Sequence, residues 1–412
     1  MSESFYDIMA ERGLIHQSTD EQMRERLRKP CTAYIGFDPT ADSLHVGSLV
    51  PVMVLAWLQR CGHRPLALVG GATGMIGDPS GKTSARTMLT ADEVAANTRA
   101  LGAQIARVVR FGDGPSDARL LNNADWLGDR SWIDILREYG PHFSVNRMLT
   151  MDSVKGRMES GGITFLEFNY MVMQAADFVH LAREYDCSVQ MGGQDQWGNI
   201  VMGIELGRRL DGRSLAGLTM PLVTKADGSK FGKSEQGNIW LSAERTPVHD
   251  FFQFWRNVAD ADVRRFLAFF TFLPMSQVDQ LCAEGGQALN AAKEELAYQV
   301  TALIHGEAAA RSAREDARKA FAGGDVSGDS IPHSALTRQE LAAGVGLLLL
   351  MTRSGLTSSN GEARRLVQGG GVRINDDKVS DPSMQLDESV VADGQVVLRV
   401  GKKKIHRFDI VG

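Results

Sequence analysis

Short apolar runs and longer helical segments alternate along the first half of the chain. The runs TAYIGFD at 32–38 and PLALVGG at 65–71 have the length of buried strands. The segment between them, at 46–62, predicts an apolar helix that ends at Gly62. The same pairing recurs at 187–210, where CSVQMGG precedes WGNIVMGIELGRRL. Repeated strand-then-helix units predict an α/β fold, a Rossmann-like parallel sheet with helices on both faces.

The pattern becomes helical near 245–320 and changes again after it. FAGGDVSGDSIPHS at 321–334 is rich in Gly and Ser and predicts a linker. Beyond it, RRLVQGGGVRIN and GQVVLRVGKKK predict a helix that leads into a small sheet. The predicted organisation is an α/β domain at 1–224, a loop with an α-helical domain at 225–320, a linker at 321–345 and a small α+β module at 346–412.

The composition is that of a globular protein with more than one domain. A chain of 412 residues exceeds the size of a single core, and 43% hydrophobic with 23% charged residues is ordinary. The net charge of -5 argues against a nucleic-acid coat over the whole surface but allows a local basic patch. Cys31, Cys61, Cys187 and Cys282 are scattered without a CxxC spacing, which predicts reduced thiols and no metal site. The N-terminus has no apolar signal core, and no apolar run has the length of a membrane helix, so we predict a cytoplasmic protein.

The stretch GATGMIGDPSGKTSART at 71–87 is similar to a phosphate-binding P-loop at one end only. It closes with Gly81-Lys82-Thr83, but Ile76 occupies the position of the first Walker glycine. A kinase or ATPase of the Walker type is therefore disfavoured. The helix predicted after this stretch, at 92–109, would begin at Asp92 as its N-cap.

FDPTADSLHVGS at 37–48 is a better candidate for a nucleotide site. The switch from strand to helix places His45 and Gly47 at a helix N-terminus, where free N–H groups favour an anion. Gly47 lets a ligand lie close to the backbone. For this motif alone, the alternative is that Asp42 and Ser43 are turn residues and His45 a surface histidine.

TKADGSKFGKSEQGN at 224–238 is the second candidate. Lys225, Lys230 and Lys233 cluster beside two glycines, and ammonium groups stabilise charge on phosphate oxygens. Taken alone, such a lysine pair is more often part of a solvated, mobile surface loop.

Together, HVGS and KFGKS resemble the paired HIGH-like and KMSKS-like signatures of class I aminoacyl-tRNA synthetases. The longer stretches YIGFDPTADSLHVGS, HFSVNRML, FLEFNYMVMQAADF and GGQDQWGNI, with the two loops above, resemble bacterial tyrosyl-tRNA synthetases. The resemblance implies ATP-dependent activation of L-tyrosine and transfer of the tyrosyl group to the 3′ end of tRNA(Tyr). It makes 1–224 the catalytic domain for tyrosine and ATP and 225–320 the anticodon-side domain.

The resemblance also assigns a tyrosine pocket. Tyr34 and Asp177 would pair with the phenol hydroxyl, and an apolar ring would leave both unpaired, which disfavours another aromatic amino acid as substrate. The other predicted tyrosine-binding residues, of which the first three would hold the ammonium group, are Asp78, Tyr170, Gln174 and Gln190. Tyr170, Gln174 and Asp177 are spaced at i, i+4 and i+7, so one helical face can present all three.

For ATP, the resemblance assigns His45, Lys230 and Lys233 to the developing phosphate charge. It places Lys82 and Arg86 on the pyrophosphate, from a loop that acts as a lid. The residues expected to contact ATP are Gly36, Asp38, Thr40, His45, Gly47, Ser48, Gly193, Asp195, Gln196, Lys230, Phe231, Gly232, Lys233 and Ser234. Mg2+ would enter with ATP, and no protein metal site is predicted. Ser48 departs from the family pattern, because a second histidine usually stands there.

The terminal segment resembles a small RNA-binding module. From residue 346 onward, ten Lys and Arg oppose eight Asp and Glu, an excess consistent with phosphate contact. The candidates for tRNA contact are Arg353, Arg364, Arg365, Arg373, Lys402, Lys403 and Lys404. Members of the family are homodimers, and HFSVNRML resembles part of their interface.

One alternative from another class remains: a non-catalytic RNA-binding protein built on a synthetase fold. The intact His45, Lys230, Lys233 and Asp195 argue against it, because such a descendant could lose them.

Overall fold

The computed structural model describes residues 4–80, 89–228, 231–234, 237–322, 332–401 and 404–412. The chain divides into two compact units. The first contains Met1–Thr246 and Phe254–Gly306, and the second contains Pro247–Gln253 and Glu307–Gly412.

A six-stranded sheet forms the centre of the first unit, in the order β1-β6-β5-β2-β3-β4. Its strands are β1 (Gln17–Ser18), β2 (Thr32–Phe37), β3 (Arg64–Val69), β4 (Arg119–Asn122), β5 (Cys187–Gly193) and β6 (Ala216–Met220). Five strands are parallel, and β1 is an antiparallel edge. The predicted parallel α/β sheet is confirmed. A hairpin of β7 (Lys233–Ser234) and β8 (Gly237–Asn238) lies apart from this sheet.

Helices connect the strands and continue beyond the last of them. Up to residue 322 they are α1 (Phe5–Glu11), α2 (Met23–Arg26), α3 (Leu49–Arg60), α4 (Thr73–Ile76), α5 (Ala91–Ile105), α6 (Ala124–Leu127), α7 (Trp132–Glu138), α8 (Val145–Leu149), α9 (Asp152–Ser160), α10 (Phe165–Tyr185), α11 (Trp197–Asp211), α12 (Val248–Arg256), α13 (Asp260–Phe270), α14 (Met275–Leu281), α15 (Leu289–His305) and α16 (Glu307–Ala322). The helical character predicted near 245–320 is thus confirmed.

The start of α5 differs from the prediction. Thr90, not Asp92, is the N-cap: its side chain accepts the Glu93 N–H, while the Glu93 side chain accepts the Thr90 N–H. This reciprocal capping box satisfies two backbone donors at once, which Asp92 inside the first turn cannot do.

The second unit contains a five-stranded sheet in the order β12-β11-β14-β15-β9 and a two-stranded ladder of β10 and β13. Its remaining elements are β9 (His333–Thr337), α17 (Arg338–Ala342), β10 (Val345–Gly346), α18 (Leu347–Arg353), α19 (Asn360–Gln368), β11 (Val372–Ile374), β12 (Asp377–Val379), β13 (Gln385–Leu386), β14 (Gln395–Val400) and β15 (Lys404–Val411).

Three of these elements fall within 332–346, in or next to the stretch expected to be a linker. Strand β9 pairs in parallel with β15 and buries Leu336 completely, so these residues belong to the sheet. The stretch HSALT would place only one apolar residue on each face of a strand. This is too few to distinguish a strand from a loop in the sequence. None of the helices in the described ranges is long and apolar enough to cross a membrane.

Candidate active site

Three of the candidate residues lie at the edge of the sheet where the strand order reverses. Strands β2 and β5 are neighbours in space, although β3 and β4 separate them in the sequence. Ligands of doubly wound sheets bind at such a point, outside the carboxyl ends of the strands. Asp38 follows β2, Asp78 lies beyond β3 and Asp195 follows β5, so three predicted residues share this edge.

Tyr34 lies on β2 and is only 1% exposed. Its ring packs against Phe178, with the centroids 5.4 Å apart. Its hydroxyl has no hydrogen-bond partner among the described residues. Burial raises the pKa of Tyr34 well above its ordinary value, and the nearby Asp177 carboxyl raises it further. The hydroxyl is therefore neutral and can both donate and accept a hydrogen bond.

Asp177 lies on α10 and is 2% exposed. One carboxyl oxygen accepts a hydrogen bond from Asn123 Nδ2 at 2.9 Å, and the other accepts one from Trp126 Nε1 at 2.8 Å. Burial raises the pKa of Asp177 to about 7, although both hydrogen bonds lower it. The carboxyl is therefore close to the boundary between its neutral and charged forms at neutral pH.

A chain of hydrogen bonds connects Asp177 with Asp38. Asn123 Nδ2 also donates to Thr73 Oγ1 at 2.9 Å, and Thr73 Oγ1 donates to Asp38 Oδ1 at 3.2 Å. The other oxygen of Asp38 accepts a bond from Tyr170 Oη at 3.0 Å. Asp38 was assigned to the adenylate, but its side chain lies beside Tyr170, in the group expected to hold the substrate ammonium.

A second chain of hydrogen bonds connects Gln174 with Asp78. Gln174 Nε2 donates to Gln196 Oε1 at 3.2 Å, and Gln196 Nε2 donates to Asp78 Oδ2 at 2.6 Å. Asn199 Nδ2 donates to the same Gln196 oxygen at 3.1 Å, and the Ser80 N–H donates to Asp78 Oδ1 at 2.9 Å. Tyr170, Gln174 and Asp177 therefore lie on one face of α10, as their spacing predicts. Each of them makes a hydrogen bond with another polar side chain of this region.

Three buried polar oxygens in this region have no hydrogen-bond partner among the described residues. They are Tyr34 Oη, Gln174 Oε1 and Gln190 Oε1. Unpaired buried polar atoms are rare in native proteins because each costs free energy. Their concentration at residues predicted to bind tyrosine fits a pocket completed by a polar ligand.

His45 caps the turn that leads into α3. Its Nδ1 accepts the Gly47 N–H at 3.0 Å, so in the neutral ring the proton is on Nε2. Ser48 Oγ lies 3.5 Å from that Nε2. A Cβ on Gly47 would lie 2.8 Å from the His45 ring, so any side chain at this position would displace the ring. The departure at Ser48 therefore leaves a hydroxyl beside the motif histidine.

The structure brings the KFGKS motif against the HVGS motif. Gly232 has φ +85°, and a Cβ there would lie 3.0 Å from Val46 Cγ2. The Ile239 N–H donates to Gly232 O at 2.9 Å, and the Val46 N–H donates to Ile239 O at 3.0 Å. These contacts join the described parts of the two motifs.

Phe231 of the KFGKS motif is buried, with only 7% of its surface exposed. Its ring lies 4.6 Å from that of Phe266 and 5.6 Å from those of Trp255 and Phe270. Contact of this residue with ATP would have to come from its backbone, while the ring anchors the loop.

Several predicted residues fall outside the described part of the chain: Lys82, Arg86, Lys230, Lys402 and Lys403. Lys233 and Ser234 form β7, but their side chains are also outside it.

The remaining predicted ATP residues follow the strand ends. Gly36 and Thr40 are exposed at the end of β2, Gly193 ends β5, and Asp195 lies on the next turn. Among the described residues, no three His, Cys, Asp or Glu side chains form a group that could hold a metal ion.

Comparison with known proteins identifies the family. Residues 26–322 match the family model of class I tRNA synthetases (W and Y). The tyrosine–tRNA ligases of Rhizobium meliloti and Bradyrhizobium diazoefficiens are each 50% identical over 97% of this chain and 97% of their own length. The chain belongs to the tyrosine–tRNA ligase family. A C-terminally truncated mitochondrial tyrosyl-tRNA synthetase of Aspergillus nidulans has a similar structure, with a TM-score of 0.69 and 32% identity over 77% of this chain and 94% of its own.

The terminal part of this tyrosine–tRNA ligase family member also matches a family model. Residues 325–407 match the SYY-like C-terminal domain of tyrosine–tRNA ligases. Within it, Arg353 binds Glu340 at 2.6 Å, Arg373 donates to Asp376 O at 3.1 Å, and Lys404 donates to Leu356 O at 3.2 Å. These three predicted RNA-binding residues have internal partners.

Arg364 and Arg365 are exposed on α19, as Arg353, Arg373 and Lys404 also are in their own elements. What separates the two groups is the internal hydrogen bonds of Arg353, Arg373 and Lys404.

Sequence reasoning missed four residues that hydrogen-bond to the predicted site residues: Thr73, Asn123, Trp126 and Asn199. The stretch LLNNADW, at 120–126, carried a usable signal, since polar residues follow an apolar run there. That run is β4, which was not predicted as a strand.

Proposed function

We propose that this chain activates L-tyrosine with ATP to form tyrosyl adenylate, and then transfers the tyrosyl group to the 3′ end of tRNA(Tyr). The observation that carries the proposal is the buried pair of Tyr34 and Asp177. A substrate phenol can donate to the Asp177 carboxylate and accept from the unpartnered Tyr34 hydroxyl. Phenylalanine can do neither, and would leave both groups unpaired in a buried site.

The other end of the substrate needs groups that favour an ammonium ion. Asp78 and Asp38 supply two carboxyl groups at the same sheet edge, and Gln174 and Tyr170 hold them through the hydrogen bonds described above. In this proposal the tyrosine carboxylate then points toward the HVGS turn. Fixed polar groups of this kind orient both ends of the substrate before reaction.

In the first step, a tyrosine carboxylate oxygen forms a bond to the α-phosphorus of ATP. The bond from that phosphorus to the bridging oxygen breaks, and pyrophosphate leaves with Mg2+, which entered as part of the ATP complex. Charge develops on the phosphate oxygens, so positive groups aimed at them lower the barrier. We assign this role to His45 with Lys82, Arg86, Lys230 and Lys233.

The nucleotide itself would lie between the two motifs. Gly47 and Gly232 keep the HVGS turn and the KFGKS loop close together, and the helix N-terminus of α3 favours the phosphates. Gly36, Thr40, Gly193, Asp195 and Gln196 line the strand ends that face this position, and we assign Asp195 to the ribose. Ser48 would act through His45, whose Nε2 it neighbours.

In the second step, a terminal ribose hydroxyl of tRNA attacks the tyrosyl carbonyl carbon, and AMP leaves. We assign recognition of the tRNA backbone in part to the C-terminal module, with Arg364 and Arg365 among its exposed cations. Because tRNA charging serves translation, we place the protein in the cytoplasm.

We also propose that the protein is a homodimer through the segment 132–166. Of the thirteen exposed large hydrophobic residues among those described, eight lie in this segment: Trp132, Ile133, Leu136, Val145, Leu149, Met158, Phe165 and Leu166. The rings of Trp132 and Phe165 are 6.0 Å apart, so the patch connects α7 with α10. A concentration of exposed apolar side chains in one segment supports a protein interface there.

ATP–pyrophosphate exchange without tRNA tests the first step. We expect exchange with tyrosine and almost none with phenylalanine or tryptophan. Exchange with a different amino acid would contradict the assignment of Tyr34 and Asp177 but keep the enzyme class. No exchange with any of the three, from folded protein, would reject the ligase and favour a non-catalytic RNA-binding protein.

A further inference from the structure

Helix α5 holds both ends of the loop that carries the HVGS motif. Near the start of the loop, Asn97 Nδ2 donates a hydrogen bond to Pro39 O at 3.0 Å. Near its end, Gln104 contacts residues 42–44. Asn97 and Gln104 are seven positions apart and therefore lie on the same face of the helix. The buried Leu101 and Ile105 seat α5 in the core, so the helix is a fixed platform for the loop.

The Gln104 amide binds three successive residues immediately before His45. Its Oε1 accepts the Leu44 N–H at 2.8 Å. Its Nε2 donates to Ser43 Oγ at 3.2 Å and approaches Asp42 O at 3.5 Å. Because the peptide of Leu44 leads directly into His45, the amide fixes the position from which the motif histidine extends.

The same cluster reaches the segment that follows the KFGKS hairpin. Ser43 is 4% exposed, and its Oγ accepts the Ser242 N–H at 3.1 Å. The Leu241 N–H donates to Leu44 O at 2.8 Å. Gln104 therefore supports residues 43–44, which are hydrogen-bonded to residues 241–242. The latter residues follow the KFGKS motif in the chain.

We propose that Gln104 is a positioning residue for adenylate formation. This inference rests on the function proposed above and adds to it a residue that touches neither substrate nor reacting atoms. Gln104 holds His45 at a fixed distance from the sheet and, through Ser43, keeps the segment after KFGKS in register with it. The relative position of the two motifs then depends on one side-chain amide, and small displacements of catalytic groups cost large factors in rate.

The test compares Gln104→Met with Gln59→Met. Methionine keeps the length of the side chain but cannot make the hydrogen bonds. Gln59 is a matched control because it is also partly buried and also bonded to a loop: its Nε2 donates to Arg110 O at 2.7 Å and Ser116 O at 3.0 Å, and its Oε1 accepts the Arg110 N–H at 2.9 Å. The loop at 110–116 contains none of the candidate site residues.

In tyrosine-dependent ATP–pyrophosphate exchange, we expect Gln104→Met to lower kcat roughly 10- to 100-fold relative to the unsubstituted protein. The KM for tyrosine should change less than about two-fold, because Gln104 makes no contact with the tyrosine pocket. Gln59→Met should retain kcat even if its Tm falls as far as the Tm of Gln104→Met does. Equal kcat values for the two variants at equal Tm would overturn the proposal, since that is the result of a purely structural role.

Hydrogen–deuterium exchange provides a readout that does not depend on activity. In Gln104→Met, peptides covering 42–46 and 239–242 should exchange faster, while those covering the tyrosine pocket should not. Unchanged protection of 239–242 would also overturn the proposal, whatever the protein catalyses. If the methionine variant does not fold, Gln104→Glu keeps an acceptor for the Leu44 N–H and loses both donations. It should lower kcat relative to the unsubstituted protein, by less than the roughly 10- to 100-fold expected for Gln104→Met. Full activity with unchanged protection would reject the proposal.

Discussion

The Asp177 carboxyl receives two hydrogen bonds, yet burial holds its pKa at about 7, against an ordinary value of 3.8. Between these two values the folded protein binds a proton that the unfolded chain releases. The group therefore contributes stability that is present below the unfolded pKa and is lost as the pH rises through 7. Binding has the opposite sign, because only the ionised carboxyl can accept a hydrogen bond on either oxygen from the substrate phenol.

We expect kcat/KM for tyrosine in the activation step to fall as the pH drops below about 7, approaching a tenfold loss per pH unit. The profile of kcat/KM reports the free enzyme, in which the carboxyl must be charged to receive the phenol proton. In Asp177→Asn the acid limb should disappear, leaving a lower and flatter profile. An acid limb that persists unchanged in this variant would assign the titration to another group.

The hydroxyl of Tyr34 should act in opposite directions on stability and on substrate binding. It is buried without a partner among the described residues, so Tyr34→Phe removes a group that costs free energy in the empty pocket. We expect the free energy of unfolding, measured with urea, to rise by about 1 kcal/mol. The KM for tyrosine should rise several-fold, and discrimination against phenylalanine should weaken, because the substrate phenol loses a donor.

The internal check for this variant is the exchange reaction measured with saturating phenylalanine, which reports the selectivity directly. If Tyr34→Phe lowers stability and leaves selectivity unchanged, the hydroxyl has a partner in solution and is not a selector.

At the level of elements, the sequence predicted what local patterns encode. Strands β2, β3 and β5 were evident because each is a short apolar run, and α3 because it is a longer apolar run. The structure buries nine of the twelve residues of α3. The spacing along α10 predicted that Tyr170, Gln174 and Asp177 share a face, because helical geometry alone determines it. The strand-then-helix order then predicted the parallel sheet and the edge at which ligands bind.

Contacts between elements were not predictable in this way. The pocket contact of Asp177 with Asn123 and Trp126 joins α10 to the start of α6, across about fifty positions of sequence. No local period encodes such a pairing. The N-cap of α5 was misassigned for a related reason: Thr90 and Asp92 are both capping types, and only the bonds to Glu93 distinguish them. Strand β9 was missed because its stability comes from β15, far along the chain.

At the level of the whole molecule, exposed apolar side chains are concentrated in the segment 132–166. Phe165 is 71% exposed and Ile133 60%, values unusual for large hydrophobic side chains next to well-packed neighbours. Below them, the buried Met148, Val154 and Met171 form a separate core cluster. The exposed residues therefore belong to a segment that has its own packed core, as an interface requires. We expect a second copy of the chain to cover them.

Phe165→Glu should convert the protein from dimer to monomer at micromolar concentration, as measured by sedimentation velocity. A buried glutamate on each side of a two-fold contact would place unpaired charges in an apolar interface. The substitution should leave the fold intact, because Phe165 is the first residue of α10 and an acidic side chain there interacts favourably with the helix dipole. Leu349→Glu is the matched control: Leu349 is 55% exposed but lies in the C-terminal module, so this variant should remain dimeric.

Two outcomes would contradict this prediction. A Phe165→Glu dimer of undiminished affinity would place the interface elsewhere, and a monomeric unsubstituted protein would mean that there is no such interface. The apolar surface of 132–166 would then have to be covered by another partner.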